Sequence, residues 1–110
     1  MTKFLMFGTE SCKFCKTSKE TLDKYKCEYN YVNLSLLYGE TWRQVFQDLA
    51  PLLNGQRTIP IILYQRSDTD TDFTAPLTPD KLSAWTILGS YNELLRYLDQ
   101  IIDIDADADF

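Results

Sequence analysis

The sequence contains no histidine and only three cysteines among its 110 residues. It therefore lacks the commonest metal ligand and the usual general base, and any chemistry must proceed without imidazole. Three cysteines are too few, and odd in number, for a fold held together by structural disulfides. With 45% hydrophobic residues, one domain of this length can bury an ordinary core instead.

Long apolar segments and an excess of basic residues are missing too. The apolar run near the N-terminus, residues 4–7, is too short for a signal peptide, and no segment approaches the length of a membrane span. A net charge of −5 does not favour binding along nucleic-acid phosphates. These features predict a cytoplasmic protein with neither membrane nor nucleic acid as a partner. In that reducing compartment, paired cysteines favour catalysis or metal binding.

What the sequence does contain is an alternation of short apolar runs with segments of helical periodicity. Thr41 with Gln44, and Ser90 with Glu93, form capping-box pairs that mark the starts of the second and third helices. The element order βαβαββα predicts an α/β fold, a four-stranded mixed sheet flanked by three main helices. The strands are expected at residues 3–7, 27–34, 58–64 and 85–88, and the helices at residues 13–25, 41–53 and 90–102.

Two segments fall outside this pattern. Residues 66–84 are polar, turn-rich and contain two prolines, which predicts a long loop between the last two strands with one short helix from Pro79. The alternating Asp and Ala residues at the end predict an acidic disordered tail over residues 105–110. Residues 1–104 then form a single domain that carries the loop as an insertion.

The stretch "ESCKFCK" places Cys12 and Cys15 where the first strand gives way to the first helix. A cysteine at a helix N-terminus has its thiolate stabilised by free backbone N–H groups and by the helix dipole, and Lys13 and Lys16 add positive charge. Cys15 lies one turn deeper and is more shielded. Cys12 is therefore the candidate attacking group and Cys15 the candidate resolving group of a dithiol redox centre.

Two other interpretations of the cysteine pair remain open at this point. Structural zinc needs four ligands, whereas the chain offers one CxxC pair, the single Cys27 and no histidine, so carboxylates would have to complete the site. The pair could also be inert and buried, although its position in a βαβ unit favours redox chemistry. Cys27 is interpreted as a small apolar residue at the start of a strand.

Three motifs together resemble those of a dithiol glutaredoxin with a thioredoxin-like fold: the CxxC pair, "TIP" before the third strand, and "GSYNEL" opening the last helix. The resemblance covers about residues 3–102 apart from the inserted loop. It implies that Cys12 is the nucleophile and Cys15 the resolving cysteine. It also implies that Pro60 follows a cis peptide bond beside the disulfide.

The resemblance further implies a glutathione site. Ile59 would offer its backbone to the cysteine moiety of glutathione, Arg57 would pair with the glycyl carboxylate, and Gly89 with Ser90 would bind the γ-glutamyl end. Ser90 and Glu93 have a second interpretation, since they can simply cap the last helix. The full set of expected contacts is Lys13, Phe14, Arg57, Thr58, Ile59, Pro60, Gly89, Ser90, Tyr91, Asn92 and Glu93.

This sequence departs from the family pattern at two places in the expected site. Lys13 and Phe14 stand between the cysteines where the family commonly has Pro-Tyr, which relaxes the turn, favours the thiolate and removes a hydroxyl. Ser90 stands where the family has the second glycine, and so brings a side chain towards the ligand backbone.

The resemblance implies a monomeric thiol–disulfide oxidoreductase that uses glutathione as reductant and needs no metal. Its partners would be disulfide-containing or glutathionylated proteins, ribonucleotide reductase among them, together with a glutathione-recycling or thioredoxin reductase system. One alternative is a related redoxin that thioredoxin reductase recharges. An alternative of another class is a carrier of an iron–sulfur cluster held by Cys12 and glutathione from two protomers, and a third is a binding module built on the long loop.

Overall fold

The computed structural model describes residues 3–65 and 77–108. In this part of the chain, strands and helices alternate in the predicted order. The strands are β1 (Lys3–Gly8), β2 (Glu28–Asn33), β3 (Ile61–Gln65) and β4 (Thr86–Gly89). The helices are α1 (Lys13–Lys24), α2 (Leu34–Tyr38), α3 (Val45–Asp48), α4 (Ala50–Leu53) and α5 (Tyr91–Ala108), with 3-10 helices at Gly39–Gln44 and Asp80–Leu82.

The strands form one mixed sheet in the order β2-β1-β3-β4. β1 pairs parallel with β2 and antiparallel with β3, and β3 pairs antiparallel with β4. A parallel pair needs a crossover connection, and α1 supplies it between β1 and β2. The predicted thioredoxin-like fold with a four-stranded mixed sheet is confirmed.

Hydrophobic side chains cover both faces of the sheet, which explains why β1 has a continuous apolar run rather than an alternating pattern. Successive residues of a strand point to opposite faces. Leu5 and Phe7 accordingly pack with Ile61 and Leu63 beneath the α2–α4 segment. The other face is covered by α1 and α5, and its core consists of Phe4, Met6, Leu22, Ile62, Leu94 and Leu98.

The second helical segment differs from the prediction. It begins at Leu34, where the Asn33 side chain accepts a hydrogen bond from the Ser35 N–H at 2.9 Å, and it is broken into short pieces as far as Leu53. The predicted capping box at Thr41 is not formed. Thr41 lies inside a 3-10 helix with φ −94° and ψ 27°, and its hydroxyl donates to the Tyr38 carbonyl. Asn33 thus provides the true N-cap eight residues earlier.

The last helix continues past the predicted domain boundary at residue 104 and ends at Ala108. Alanine is the best helix-forming residue, so the Asp-Ala alternation is compatible with continued helical backbone. Of the predicted loop, residues 66–76 lie outside the described residues. Its remaining part brings Leu77 and Leu82 into the core and contains a three-residue 3-10 helix after Pro79. None of the described helices is long and apolar enough to span a membrane.

Tyr38 connects α2 with α3 and with Leu77, in the described part of the predicted loop. Its hydroxyl donates to Asp48 Oδ2 at 2.9 Å and accepts from the Leu77 N–H at 2.8 Å. We expect Tyr38→Phe to lower the free energy of unfolding by about 1–3 kcal/mol, because both partners lose a hydrogen bond in a partly buried place. Urea denaturation at neutral pH measures this loss.

The same variant should change the dependence of stability on alkaline pH. Burial is the largest of the effects that raise the pKa of Tyr38 from 10.0 to about 12. The contribution of the neutral hydroxyl is therefore complete below pH 10 and is lost as the pH rises towards 12. Between these values the wild type should lose stability more steeply than Tyr38→Phe. If the curves of unfolding free energy against pH were parallel for the wild type and Tyr38→Phe, Tyr38 would have the same pKa in the folded and unfolded states.

Candidate active site

The disulfide lies where β1 ends and α1 begins. Cys12 is the N-cap of α1, and its backbone N–H donates to the Thr9 carbonyl at 3.2 Å. Cys12 and Cys15 form a disulfide with their Cα atoms 5.2 Å apart. The Cys15 N–H donates to Cys12 Sγ at 3.1 Å. After reduction, this N–H and the positive end of the helix dipole are available to stabilise a Cys12 thiolate.

The two sulfur-bearing residues differ in exposure. Cys12 is partly exposed, whereas only 1% of the surface of Cys15 is accessible. An external thiol or disulfide can therefore approach Cys12 but not Cys15. This asymmetry supports the predicted roles, with Cys12 attacking and Cys15 resolving, because an attacking sulfur must be reached from outside.

Gly8 provides the space that Cys15 occupies. A Cβ atom at position 8 would overlap Cys15 Sγ and would lie 3.1 Å from Cys15 Cβ. The position is buried, so the neighbouring atoms cannot simply move into solvent. Glycine is required here for close approach of the helix to the strand.

We expect Gly8→Ala to lower the free energy of unfolding of the oxidised protein by about 1–3 kcal/mol, the usual cost of overpacking. Urea denaturation of the oxidised variant tests this. Gly55→Ala is the comparison: nothing lies within 4 Å of the added carbon, so any loss there comes from its φ of +87° alone, whereas the loss in Gly8→Ala comes from crowding. An oxidised Gly8→Ala protein as stable as the wild type would contradict the crowding at Cys15.

A groove of about 740 Å³ is lined by Phe14, the residue before Cys15, although neither cysteine lines it. One wall comes from the segment before β3 and a second from the start of α5. A third comes from the 3-10 helix at Gly39–Gln44 and from α3, and Phe14 of α1 also lines the groove. Its lining residues are Phe14, Trp42, Arg43, Phe46, Gln47, Arg57, Thr58, Ile59, Pro60, Ser90, Tyr91 and Asn92.

The groove unites most of the residues that the sequence singled out. Eight line it: Phe14, Arg57, Thr58, Ile59, Pro60, Ser90, Tyr91 and Asn92. The other three expected contacts, Lys13, Gly89 and Glu93, are neighbours of lining residues but do not line it themselves. Sequence reasoning missed the third wall, which consists of Trp42, Arg43, Phe46 and Gln47, because it assigned the apolar members of that segment to one buried helix face.

The segment before β3 has a fixed backbone conformation. The Ile59–Pro60 peptide bond is cis. The Gln56 side chain amide donates to the Thr58 carbonyl at 2.9 Å and to the Pro60 carbonyl at 3.1 Å. Among the described residues, none forms a hydrogen bond with the backbone of Ile59. The Ile59 backbone is therefore available to an extended ligand, and Gln56 is a positioning residue that the sequence did not reveal.

The start of α5 forms the second wall. The Ser90 N–H and hydroxyl both donate to Glu93 Oε2, at 3.3 Å and 2.6 Å. The bond from Ser90 is the main cause that lowers the pKa of the Glu93 carboxyl. Gly89 has φ +129°, and a Cβ there would lie 2.8 Å from Glu93 Cγ, so glycine is needed before this cap. Glu93 thus caps the Ser90 N–H, which is one half of the predicted capping box, whereas the Ser90 hydroxyl donates to the same carboxylate.

Aromatic and cationic side chains line the groove. The rings of Phe14 and Tyr91 have their centroids 6.1 Å apart, and 59% of the Phe14 surface is exposed. The Arg43 guanidinium lies over the Trp42 ring at 4.6 Å, and Arg57 is exposed at the groove. A groove with two guanidinium groups, aromatic walls and a free backbone segment can bind a small peptide that carries carboxylates.

Comparison with known proteins relates this geometry to a family. The Glutaredoxin family model matches residues 4–66, more than half of the chain. No curated protein sequence matches.

Two of the solved structures that are similar to this one are glutaredoxins. Glutaredoxin 1 from Francisella tularensis, complexed with cacodylate, has a TM-score of 0.56 at 13% identity, over 94% of this chain and 99% of that one. The glutaredoxin Grx-1 from Archaeoglobus fulgidus has a TM-score of 0.44 at 19% identity, over 76% of this chain and 86% of that one. The first of these shows that the fold is shared over nearly the whole chain. With the CxxC disulfide at the strand–helix junction and the family match, the chain belongs to the glutaredoxin family and is a thiol–disulfide oxidoreductase.

Proposed function

We propose that the protein is a dithiol glutaredoxin that uses glutathione to reduce protein disulfides or glutathione mixed disulfides through Cys12 and Cys15. The observation that carries this proposal is the groove lined by Phe14, which lies between the two cysteines in the sequence. It brings together the cis-proline segment, the start of α5 and Phe14 in one space large enough for a tripeptide.

The chemical features of glutathione fit the groove from one end to the other. Glutathione is a peptide with a carboxylate at each end and a thiol between them. The exposed Arg57 can bind the glycyl carboxylate, with the Gln47 side chain beside it in the same groove. The free backbone of Ile59 can pair with the central cysteine residue as an added strand does. These contacts direct the ligand's sulfur towards the disulfide.

The γ-glutamyl end fits the N-terminus of α5. The first N–H groups of a helix have no partner within the helix and favour an anion. Glu93 accepts the Ser90 N–H, which leaves the following N–H groups, at Tyr91 and Asn92, for the ligand carboxylate. The Glu93 carboxylate then lies close to the ligand's ammonium group. Capping and ligand binding are compatible in this arrangement.

The exchange proceeds in two steps that need no metal and no imidazole. The Cys12 thiolate attacks the glutathione sulfur of a mixed disulfide, which forms a Cys12–glutathione bond and expels the substrate thiolate. A second glutathione thiolate then attacks the glutathione sulfur of that mixed disulfide. It forms glutathione disulfide and restores the Cys12 thiolate. For a protein disulfide, the Cys12 thiolate bonds to one substrate sulfur and expels the other as a thiolate. Cys15 then attacks Cys12 Sγ, expels the second substrate thiolate and leaves the Cys12–Cys15 disulfide seen in the structure. Two glutathione thiolates in succession reduce that disulfide and leave as glutathione disulfide.

A coupled assay tests the proposal, with a small glutathione mixed disulfide as substrate. Glutathione with glutathione reductase is the recycling system in one arm, and thioredoxin reductase in the other. Turnover in the first arm supports the proposal. Turnover with thioredoxin reductase alone would overturn it in favour of a redoxin that this reductase recharges.

Arg57→Ala tests the groove itself. We expect it to raise KM for the glutathione mixed disulfide about tenfold with little change in kcat, because a charge-assisted hydrogen bond to an exposed carboxylate is lost. Lys24→Ala, which removes a cation at the far end of α1, is the control and should leave both constants unchanged. Equal KM values for the wild type and Arg57→Ala would show that Arg57 does not contact the ligand.

A further inference from the structure

The sulfur of Cys15 needs a hydrogen-bond donor when the disulfide is reduced. When the disulfide is reduced, Cys15 leaves as a thiolate, yet its residue is only 1% exposed. Cys12 has the Cys15 N–H as a donor at 3.1 Å, but Cys15 lies inside the first turn of α1. A buried thiolate without a donor is strongly disfavoured, and the chain has no histidine to supply one.

The hydroxyl of Tyr31 in β2 lies near that sulfur, and no hydrogen bond joins the two in the disulfide form. A carbon at Gly8 would touch Cys15 Sγ and would lie 3.2 Å from the Tyr31 hydroxyl oxygen. Both atoms therefore line the same small space beside the Gly8 α-carbon. That space exists because Gly8 has no side chain. No hydrogen bond to the Tyr31 hydroxyl is formed by any of the described residues, so it is free to serve the sulfur.

The Tyr31 ring holds this hydroxyl in place and connects it to solvent. The ring packs against the core of Phe4, Met6 and Leu22, and the Lys19 ammonium lies 4.1 Å from its centroid. Tyr31 and Cys12 also line a second groove, of about 500 Å³. Water in this groove can exchange protons with the hydroxyl.

We propose that Tyr31 is a positioning residue whose hydroxyl donates a hydrogen bond to the Cys15 sulfur in the reduced protein. An incoming thiolate forms a bond to Cys12 Sγ, the Cys12–Cys15 bond breaks, and its electron pair remains on Cys15 Sγ. The Tyr31 hydroxyl donates to this thiolate until water in the second groove supplies a proton. In the reverse direction Cys15 returns the proton by the same route and attacks Cys12.

The electrostatic surroundings keep the hydroxyl a donor. Burial, and after it the negative charge of Glu10, raise the pKa of Tyr31 above its ordinary value. The hydroxyl consequently keeps its proton over the range in which thiols react. In the disulfide state neither sulfur carries charge, so the hydrogen bond from Tyr31 stabilises the reduced form alone. Tyr31 thereby makes the disulfide easier to reduce.

The test is the equilibrium between the disulfide and dithiol forms of Tyr31→Phe in a dithiothreitol redox buffer, read by alkylation and mass measurement. We expect the equilibrium to shift towards the disulfide by about 3- to 10-fold, the effect of one net hydrogen bond. A tenfold shift corresponds to about 30 mV. This buffer does not depend on the first groove, so the result is independent of whether glutathione is the physiological reductant.

Tyr29→Phe is the matched control. Tyr29 lies on the same strand and lines the same second groove, which Asp23 also lines. Tyr29→Phe should leave the equilibrium between the disulfide and dithiol forms unchanged. Thermal unfolding followed by circular dichroism verifies that both variants fold.

A second measurement separates a role at Cys15 from a general structural one. In a Cys15→Ser background, Tyr31→Phe should leave the rate of thiol exchange at Cys12 unchanged, because the Cys15 sulfur that would accept the Tyr31 hydrogen bond is absent. Three results would each overturn the proposal: an unchanged equilibrium in Tyr31→Phe, equal shifts in the two tyrosine variants, or slower exchange at Cys12 in the Cys15→Ser background.

Discussion

Replacement of Cys12 by serine is expected to abolish turnover of a glutathione mixed disulfide, whereas Cys15→Ser retains a large part of it. A serine hydroxyl cannot form the mixed disulfide through which the reaction passes, so no slower version of the same route remains. Cys12 is the exposed sulfur at the helix N-terminus, with the Cys15 N–H directed at it from 3.1 Å. The loss in kcat/KM should therefore reach the background rate without protein.

Cys15→Ser removes the resolving sulfur but leaves the attacking one. A second glutathione can still resolve the mixed disulfide at Cys12, so turnover of small substrates continues. Reduction of a protein disulfide that requires the Cys12–Cys15 bond should fail. Running both substrates on both variants separates the two roles, and Cys27→Ser is the control, since burial raises the pKa of the Cys27 thiol and keeps it unreactive.

One pattern of results would reverse the assignment. Full activity on small substrates in Cys12→Ser, with loss in Cys15→Ser, would make Cys15 the attacking group despite its burial. Loss of activity towards small substrates in both variants would show that the mixed disulfide cannot be resolved by external glutathione. In that case the protein would work only through its own disulfide.

The sequence predicted the redox centre well because its signal is local. The CxxC pair, the glycine that ends β1 and the helix formers after Lys13 lie within a few residues of one another, and they place Cys12 at a helix N-terminus. The sheet was also predictable, since parallel pairing of the first two strands follows from the helix between them. The proline segment and the start of α5 were recognised as motifs, and both line the groove.

The parts that sequence reasoning missed depend on contacts between distant residues. Thr41 and Gln44 match a capping box, yet Asn33 begins the helical segment, because the chain turns directly from β2 into α2. Propensity and spacing do not decide between two good capping residues; packing of Leu34 and Val45 in the core does.

The places of Trp42 in the groove and of Tyr31 near Gly8 could not be predicted, for the same reason. Trp42 was predicted to lie on the buried apolar face of a single helix. In the structure that segment is broken into short helices, and the Trp42 side chain lines the groove. Tyr31 was predicted only as one residue of the second strand. The Tyr31 hydroxyl lies near Cys15 because Gly8 has no side chain between them, and no local pattern in the sequence encodes this proximity.

Phe7→Ala is expected to have the largest effect on stability. The Phe7 side chain is fully buried on the face that the α2–α4 segment covers, and its backbone pairs with Ile61, the residue after the cis-proline. Removing a buried phenylalanine costs about 3–5 kcal/mol, from lost transfer energy and from the cavity left behind. A domain of this size has a total stability of about 5–15 kcal/mol, so a substantial unfolded fraction is expected on mild warming.

Urea denaturation of Phe7→Ala measures this loss, with Leu36→Ala as the control. Leu36 is also an apolar residue, but 86% of its surface is exposed, so its removal should change stability by less than about 0.5 kcal/mol. Activity per folded molecule should fall in Phe7→Ala as well, since Phe7 lies between the cis-proline segment and Gly8. A loss below about 1 kcal/mol would mean that the sheet relaxes to fill the cavity, and the site would then be less rigidly supported than its packing indicates.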